Sequence, residues 1–135
     1  GDGTCADSSG NCSLRAAIME ANAQAQSDPS KTFTIVLSSG QIYKLSIPRP
    51  STTPDEDARA DDLNIKSNIT IEGNGSTVTR DPSFPCDDGL TAFRLFYVHA
   101  NGSLTLRNLT LTHGCLWNGG AIYNEGRLIV ENAVF

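Results

Sequence analysis

The sequence has little positive charge and no long apolar segment. Its 135 residues hold 10 Lys and Arg against 15 Asp and Glu, which gives a net charge of −5. A nucleic-acid-binding surface needs clustered basic residues to neutralise phosphates, and the sequence has no such cluster. No apolar run reaches the roughly 18 to 20 residues that span a bilayer. We therefore expect neither a nucleic-acid partner nor a membrane span, and Gly1 indicates a processed or trimmed chain.

Cysteine is sparse, and its spacing argues against a metal site. Cys5 and Cys12 lie seven positions apart, and Cys86 and Cys115 are each isolated in the sequence. Zinc ligands show tighter paired spacing, so four cysteines favour disulfide bonds formed in an oxidising compartment. Free thiols in a reducing cytosol are the alternative.

Catalytic motifs are also lacking. The sequence contains no nucleophile elbow, P-loop or Ser-His-Asp order, and adjacent aspartates in a strand point to opposite faces. We interpret the acidic pairs as solvated loop charge and the histidines as turn residues, and we predict no enzyme activity, cofactor or bound metal. The residues considered for chemistry are Asp61 with Asp62, Asp87 with Asp88, Arg94, His99 and His113, and Asp2 with Asp7 as weak calcium ligands.

A short amphipathic helix is predicted near the start of the chain. Apolar residues recur at helical spacing within SLRAAIMEANAQAQ, and Ser13 is suited to accept the first free backbone N–H groups. The helix ends before Pro29, because proline cannot continue it. Its apolar face consists of Leu14, Ile18 and Ala21.

Beyond the helix, apolar residues recur at every second position, and one short sequence motif, called here the repeated phrase, occurs three times. Residues 104–111 match residues 128–135 at a constant offset of 24, and a third copy spans 63–71. Each copy has two alternating apolar pairs around an asparagine. This asparagine suits a left-handed corner, and stacked copies would form an amide ladder. The residues of the predicted ladder are Asn68, Asn108 and Asn132.

A repeat in the low twenties with several strands is the size of one turn of a parallel β-helix. We therefore predict an all-β solenoid in which successive copies stack in parallel. Residues 1–30 form an N-terminal disulfide loop and helix, and residues 31–135 form the coils. The prolines and acidic residues of 48–62, and the irregular stretch 74–92, are predicted to be loop excursions.

The predicted coils also suggest how the cysteines pair and which asparagines carry glycans. Cys86 and Cys115 leave equivalent corners of adjacent coils, so a disulfide between them is geometrically reasonable. Cys5 and Cys12 would then close the N-terminal loop. Five Asn-x-Ser/Thr sequons exceed the number expected by chance only modestly, and turn asparagines followed by glycine are the better acceptors. The glycan candidates, in this order, are Asn74, Asn101, Asn68 and Asn108, with Asn11 the least suitable.

Two segments resemble known extracellular repeat proteins. Residues 12–22, CSLRAAIMEAN, resemble the CSLREAI signature that opens many secreted and cell-surface right-handed parallel β-helix proteins. Asp2, Gly3 and Cys5 fit the DG-x-C sequence that often precedes that signature. Residues 119–135 are similar to the GGA-I and F-x-x-N repeats of chlamydial polymorphic outer-membrane proteins.

The resemblance implies a right-handed β-helix whose first coil is capped by the short helix. Such a cap is physically reasonable, because the end of a stack of strands exposes apolar core and unpaired backbone. Ala16 departs from the family pattern, which has Glu at this place, so the reciprocal bond of a capping box is missing. The resemblance also implies an extracellular or cell-surface location.

The predicted function follows from this architecture. The repeat is incomplete at Phe135, so we expect either a longer protein or a protein partner that adds a strand at the open edge. The leading hypothesis is a non-enzymatic, secreted or cell-surface β-solenoid segment with a structural or adhesive role. The alternative is a carbohydrate-active, pectate-lyase-like enzyme whose active site lies outside this segment. Trp117 is expected to pack beside the Cys115 disulfide, with a sugar-stacking platform as the less favoured interpretation.

Overall fold

A computed structural model describes residues 13–51, 58–117 and 120–135 of the chain. Within these ranges it has one helix and eight strands. The elements are α1 (Leu14–Ser27), β1 (Thr32–Val36), β2 (Ile42–Leu45), β3 (Leu63–Ile65), β4 (Asn68–Arg80), β5 (Phe96–Val98), β6 (Ser103–Thr112), β7 (Ile122–Asn124) and β8 (Arg127–Val134).

Helix α1 begins where the sequence predicts. The Ser13 hydroxyl oxygen accepts a hydrogen bond from the backbone N–H of Ala16 at 3.0 Å, which satisfies one of the free donors of the first turn. The predicted apolar face of Leu14, Ile18 and Ala21 is buried, and Ala25 extends it by one turn. The helix therefore packs its apolar stripe against the strands.

The strands form two parallel sheets. The larger sheet has the order β1-β4-β6-β8, with β2 pairing a second part of β4, and the smaller sheet has the order β3-β5-β7. The repeated phrase lies in register in the larger sheet, where Ile69 pairs with Leu104 and Leu104 pairs with Leu128. The offset of 24 in the sequence thus corresponds to neighbouring parallel strands.

The predicted fold class, an all-β right-handed parallel β-helix, is wrong. The structure has mixed α/β content, with strands divided between two parallel sheets and a helix that belongs to the core. Ile18 of helix α1 is fully buried and lies in the same apolar cluster as Ile69 and Leu104. The prediction treated the helix as a cap on a β body, but its apolar stripe packs against β1 and β3 and belongs to the same buried cluster as the strands.

The core is formed by the inward faces of both sheets together with the apolar stripe of helix α1. Alternate residues of each strand point inward, as the two-residue period of a strand requires. Phe93 and Phe96 are the largest of the fully buried side chains. The other large buried residues are Ile18, Leu63, Ile65, Ile69, Ile71, Val78, Leu95, Leu104, Leu106 and Leu111.

Both predicted loop excursions differ from expectation. In the first, residues 58–62 are mostly buried, and residues 52–57 lie outside the described part. In the second, residues 74–80 continue strand β4 after an irregularity between Glu72 and Ser76, so the excursion begins at Asp81. The alternating sequence of residues 76–80 pairs with both β2 and β6, and this pairing extends the strand.

The predicted disulfide between Cys86 and Cys115 is confirmed, with Cα atoms 5.9 Å apart. It joins the 81–92 excursion to the segment that follows β6. The predicted Cys5–Cys12 pair lies outside the described residues, as do Asn11, Asp2 and Asp7.

Candidate functional site

The aspartate pair lies inside the protein. Asp61 is 3% exposed and Asp62 is 5% exposed, so the interpretation of this pair as solvated loop charge is wrong. The pair is enclosed because residues 58–62 run back beside helix α1 and lead directly into strand β3. Buried carboxylates need nearby positive charge or hydrogen-bond donors to remain in such a place.

Two arginines from different parts of the chain face the two carboxylates. Arg49 Nε lies 2.8 Å from Asp61 Oδ2, and Arg94 Nε lies 3.3 Å from Asp62 Oδ2. Asn64 donates to Asp62 Oδ1 at 3.3 Å. The remaining oxygen of Asp61, Oδ1, is buried without a hydrogen-bond partner. The cluster is therefore charge-balanced but not fully hydrogen-bonded.

Burial changes the titration of Asp62. Burial, together with the neighbouring negative charge of Asp61, raises the pKa of Asp62 to about 7, while Arg94 and Arg49 act in the opposite direction. A carboxyl group of this pKa exchanges a proton near neutral pH. Its burial, however, keeps a substrate from reaching it, so the pair acts as an internal anchor.

Arg15 attaches the same segment to helix α1. Its guanidinium donates to the backbone carbonyls of Ala58 at 2.8 Å, Ala60 at 3.0 Å and Asp61 at 2.6 Å. Ala58 and Asp61 both have positive φ, at 63° and 41°, a conformation that residues with side chains rarely adopt. The arginine thus holds a strained backbone turn in place against the helix.

Aromatic residues cover the outer face of the small sheet next to this cluster. Tyr97 and Tyr123 are paired in register, with ring centroids 5.2 Å apart. The Arg94 guanidinium lies 4.9 Å from the Tyr123 ring centroid. The Tyr97 hydroxyl donates to Glu125 at 2.8 Å, and this hydrogen bond is the main cause that raises the pKa of Tyr97 to about 12. Arg94 is thus enclosed between a carboxylate and two aromatic rings.

His99 belongs to the same group of side chains. Its Nε2 lies 2.6 Å from Asn64 Oδ1, and its ring centroid lies 4.1 Å from that of Tyr97. The structure therefore brings His99, Arg94 and Asp62 together through Asn64, a grouping that the sequence pattern does not indicate. These contacts explain His99 as part of a structural polar network.

Arg15, Arg49 and Asn64 are not among the residues that the sequence pattern predicts for chemistry. A signal for Asn64 is present in the sequence, because Asp62 and Asn64 alternate with the apolar residues of β3 and so share one face of the strand. No comparable signal exists for Arg15 and Arg49, since their partners lie 46 and 12 residues away in the chain.

The predicted asparagine ladder is present in part. Asn132 Nδ2 donates to Asn108 Oδ1 at 2.7 Å, and Asn108 Nδ2 donates to Glu72 Oε1 at 2.9 Å. Asn68 lies elsewhere, at the start of β4, where it pairs with Ser103. The third left-handed asparagine is Asn74, with φ 50°.

All four glycan candidates in the described residues are exposed. The Asn74 side-chain amide donates to the backbone carbonyl of Leu37 at 2.9 Å, and the Asn108 amide is bound as described above. Asn101 lies in a turn, exposed to solvent. On these contacts Asn101 and Asn68 have the more accessible amides.

Trp117 does not pack beside the disulfide as expected. Its side chain is fully exposed, at 101%. The preceding segment is nonetheless well held, because Arg80 Nε donates to the His113 carbonyl at 2.7 Å and Cys115 N donates to the Phe93 carbonyl at 2.9 Å. His113 Nδ1 lies 3.2 Å from Thr79 Oγ1, so a contact within the fold accounts for the position of this side chain.

Shallow grooves border the start of helix α1. One has a volume of about 410 Å³ and another about 330 Å³. Both are lined by Ser13, Leu14, Ile42 and Tyr43.

Across the ranges described above, no group of three or more potential metal-ligating side chains converges. In those same ranges, no helix has the length and apolar character needed to cross a membrane.

Comparison with protein-family models, with curated proteins and with solved structures found no match to this chain.

Proposed function

We propose that this chain is a structural or adhesive segment of a secreted or cell-surface protein. The observation that carries the proposal is the Cys86–Cys115 disulfide, which fastens an exposed excursion to a body of parallel strands. Disulfides of this kind form and persist in oxidising environments outside the cytosol. The resemblance of residues 12–22 to the opening of secreted and cell-surface proteins supports the same location.

The outer face of the large sheet supports a structural or adhesive role. Side chains of neighbouring strands follow one another in register, so that Thr34, Thr70, Thr105 and Ile129 form one row, in which Thr34 is exposed and Thr105 is buried. A second row contains Glu72, Arg107 and Glu131, and Arg107 donates to Glu131 at 2.6 Å. A sheet that holds its exposed side chains in register presents an ordered surface to a partner.

The buried aspartate pair offers no catalytic group to the carbohydrate-active alternative, whose active site would lie outside this segment. General acid–base catalysis requires the carboxyl group to come within hydrogen-bond reach of the substrate. Asp61 and Asp62 are enclosed by Arg15, Arg49 and Arg94, and a substrate has no access to them. The pair instead supports a scaffold whose loop is fixed from within.

The location and the disulfide are tested together on cells that make the protein. Surface biotinylation, followed by mass spectrometry without reduction, should recover the protein at the surface or in the medium with Cys86 and Cys115 joined. The adhesive role is tested with beads coated with the chain and with control beads coated with a variant in which the sequence of residues 81–92 is scrambled. The measurement is how many beads of each kind adhere to cells. A protein found only inside the cell with both thiols free contradicts the proposal.

A further inference from the structure

Strand β8 has the apolar pattern of its neighbour β6 but not the same burial. Leu128 and Val130 occupy the register positions of Leu104 and Leu106, which are both 0% exposed. Val130 is 41% exposed, and Leu128 is half-buried. In the part of the chain that the structure describes, β8 pairs with β6 alone. Its other edge, called here the free edge, therefore leaves inward-facing apolar side chains partly in water.

The backbone groups at the free edge belong to Leu128 and Val130. Backbone N–H and C=O groups point alternately to the two sides of a strand. The N–H of Arg127 donates to the Gly102 carbonyl at 3.1 Å, so the odd-numbered residues from 127 to 131 direct these groups toward β6. Residues 128 and 130 direct theirs toward the free edge, where unpaired donors and acceptors are a template for another strand.

A second β8 strand matches the free edge when it runs antiparallel. In a twofold pairing centred on Ile129, Arg127 of each copy lies opposite Glu131 of the other. Leu128 of each copy then lies opposite Val130, and this pair exchanges both N–H···O=C bonds through the groups that face the free edge. Opposite charges and apolar side chains directly across a strand pair both stabilise the pairing.

We infer that the free edge binds the β8 strand of a second copy of this chain, in an antiparallel pairing centred on Ile129. The pairing covers Leu128 and Val130 of both copies and so continues the apolar core across the twofold axis. The inference does not rest on the proposed structural or adhesive function, because it concerns only how one copy of the chain meets another.

Charge distinguishes this register from the other ways of pairing two β8 strands. A parallel pairing in register places Arg127 opposite Arg127 and Glu131 opposite Glu131, and like charges directly opposite are destabilising. Antiparallel registers centred one residue to either side place a charge opposite Ile129. Glu131 already accepts from Arg107 at 2.6 Å, and a carboxylate has lone pairs enough to accept from Arg127 of the second copy as well.

The proposed pairing closes on itself. Each copy uses its own β8 edge to cover that of the other, so a twofold pair leaves no equivalent edge for a third copy. Pairing through one strand is small compared with a standard interface of roughly 800 Å² per partner. We therefore expect a dimer that dissociates at concentrations on the order of micromolar.

Sedimentation equilibrium of the purified, oxidised chain tests the association. Between about 1 and 300 µM, a range that brackets the affinity expected for a small interface, the chain should pass from monomer to dimer. Arg127→Glu should weaken the dimer by about tenfold or more, because it places like charges opposite each other at both ends of the pairing. Lys44→Glu makes the same change of charge at an exposed position of β2 and should associate as the wild type does. A chain that stays monomeric, or whose mass grows beyond that of a dimer, overturns the inference.

A charge swap tests the register. Glu131→Arg alone should also weaken the dimer, because two positive charges then face each other. An equimolar mixture of the Arg127→Glu and Glu131→Arg chains restores opposite charges at both ends and should associate within about threefold of the wild-type affinity. Circular dichroism of each variant checks that it is folded. A mixture that associates no better than either variant alone overturns the inference.

Cysteine cross-linking tests the centre of the pairing. The two Ile129 residues face each other as a non-hydrogen-bonded pair with Cα atoms about 4.5 Å apart, within the reach of a disulfide. On mild oxidation at high protein concentration, Ile129→Cys should therefore form a covalent dimer. Val134→Cys lies on the same strand, is exposed, and is too far from the axis to meet its counterpart, so it should cross-link at least about fivefold less. Equal cross-linking of the two variants contradicts the inference.

Discussion

The side-chain amide of Asn132 donates to the side-chain oxygen of Asn108, one strand away, over 2.7 Å. Both residues have left-handed backbone conformations, with φ of 51° and 54°. The Asn108 side-chain amide in turn donates to the Glu72 carboxylate. This hydrogen bond is the main cause that holds the pKa of the Glu72 carboxyl below its usual value. One residue type thus satisfies the backbone requirement and links three neighbouring strands.

The first prediction separates these two roles of Asn108. Asn108→Ala loses both the hydrogen bonds and the tolerance of positive φ, and should lower the free energy of unfolding by about 1–2 kcal/mol. Asn108→Gly keeps the backbone freedom and should lose about half as much. Urea denaturation of both variants checks this order.

Asn68→Ala serves as the control for the ladder. Asn68 is exposed at the start of β4 and does not reach Asn108, so its loss should change the unfolding free energy by less than about 0.5 kcal/mol. If Asn68→Ala lowers the free energy of unfolding as much as Asn108→Ala does, the side-chain hydrogen bonds of Asn108 do not account for its effect on stability.

The second prediction concerns the buried carboxyl of Asp62. Its pKa is raised from 3.8 to about 7, so between these values the folded protein keeps a proton that the unfolded chain has released. The stability from this group is complete below about pH 3.8 and is lost as the pH rises through about 7. Asp62→Asn imitates the protonated form and should stabilise the protein at pH 8 by roughly 2–4 kcal/mol, with little effect at pH 3.5.

Urea denaturation of wild type and Asp62→Asn at both pH values measures this difference. Glu131→Gln is the matched control, because it also removes one carboxylate that faces an arginine, but from an exposed pair. Surface pairs contribute little, so this control should shift stability by less than about 1 kcal/mol at either pH. An Asp62→Asn variant that is less stable than the wild type at pH 8 would contradict a raised pKa for Asp62.

The strand pairing could be predicted from the sequence because it depends on a repeated pattern. Leu104 and Leu128 occupy the same place in two copies of the phrase, and the structure pairs them directly. The class of the fold could not be predicted in the same way. Whether the helix is a separate cap or part of the core depends on how its buried face packs against β1 and β3, and no spacing in the sequence records that.

The burial of Asp61 and Asp62 could not be predicted from the sequence at all. Asp61 and Asp62 follow a proline-rich acidic stretch, and local composition predicts that they are exposed. Their burial depends on Arg15, Arg49 and Arg94, which come from three separate parts of the chain. Contacts of this kind are set by tertiary packing, so a pattern within a short window cannot indicate them.

The third prediction concerns close backbone approach at Gly102. A methyl group at this position would collide with the backbone carbonyl of Ile65, which has no freedom to move within β3. Gly102→Ala should therefore cost about 1–3 kcal/mol of unfolding free energy. Gly89→Ala is the matched control, since a methyl group there meets no atom within 4 Å, and it should change stability by less than about 0.5 kcal/mol. Equal melting temperatures for the two variants would contradict the packing at Gly102.

The fourth prediction concerns the disulfide between Cys86 and Cys115, which closes a loop with a sequence separation of 29. In the chain-entropy description, a bond across such a loop stabilises the folded state by about 3.6 kcal/mol. The double variant Cys86→Ser and Cys115→Ser should melt roughly 10 °C lower than the wild type, both without reductant. Hydrogen exchange should accelerate in residues 81–92 and 113–117, while β6 stays protected because its pairing with β4 and β8 is unchanged. Accelerated exchange throughout β6, or an unchanged melting temperature, would show that the bond does not act by holding the excursion to the sheet.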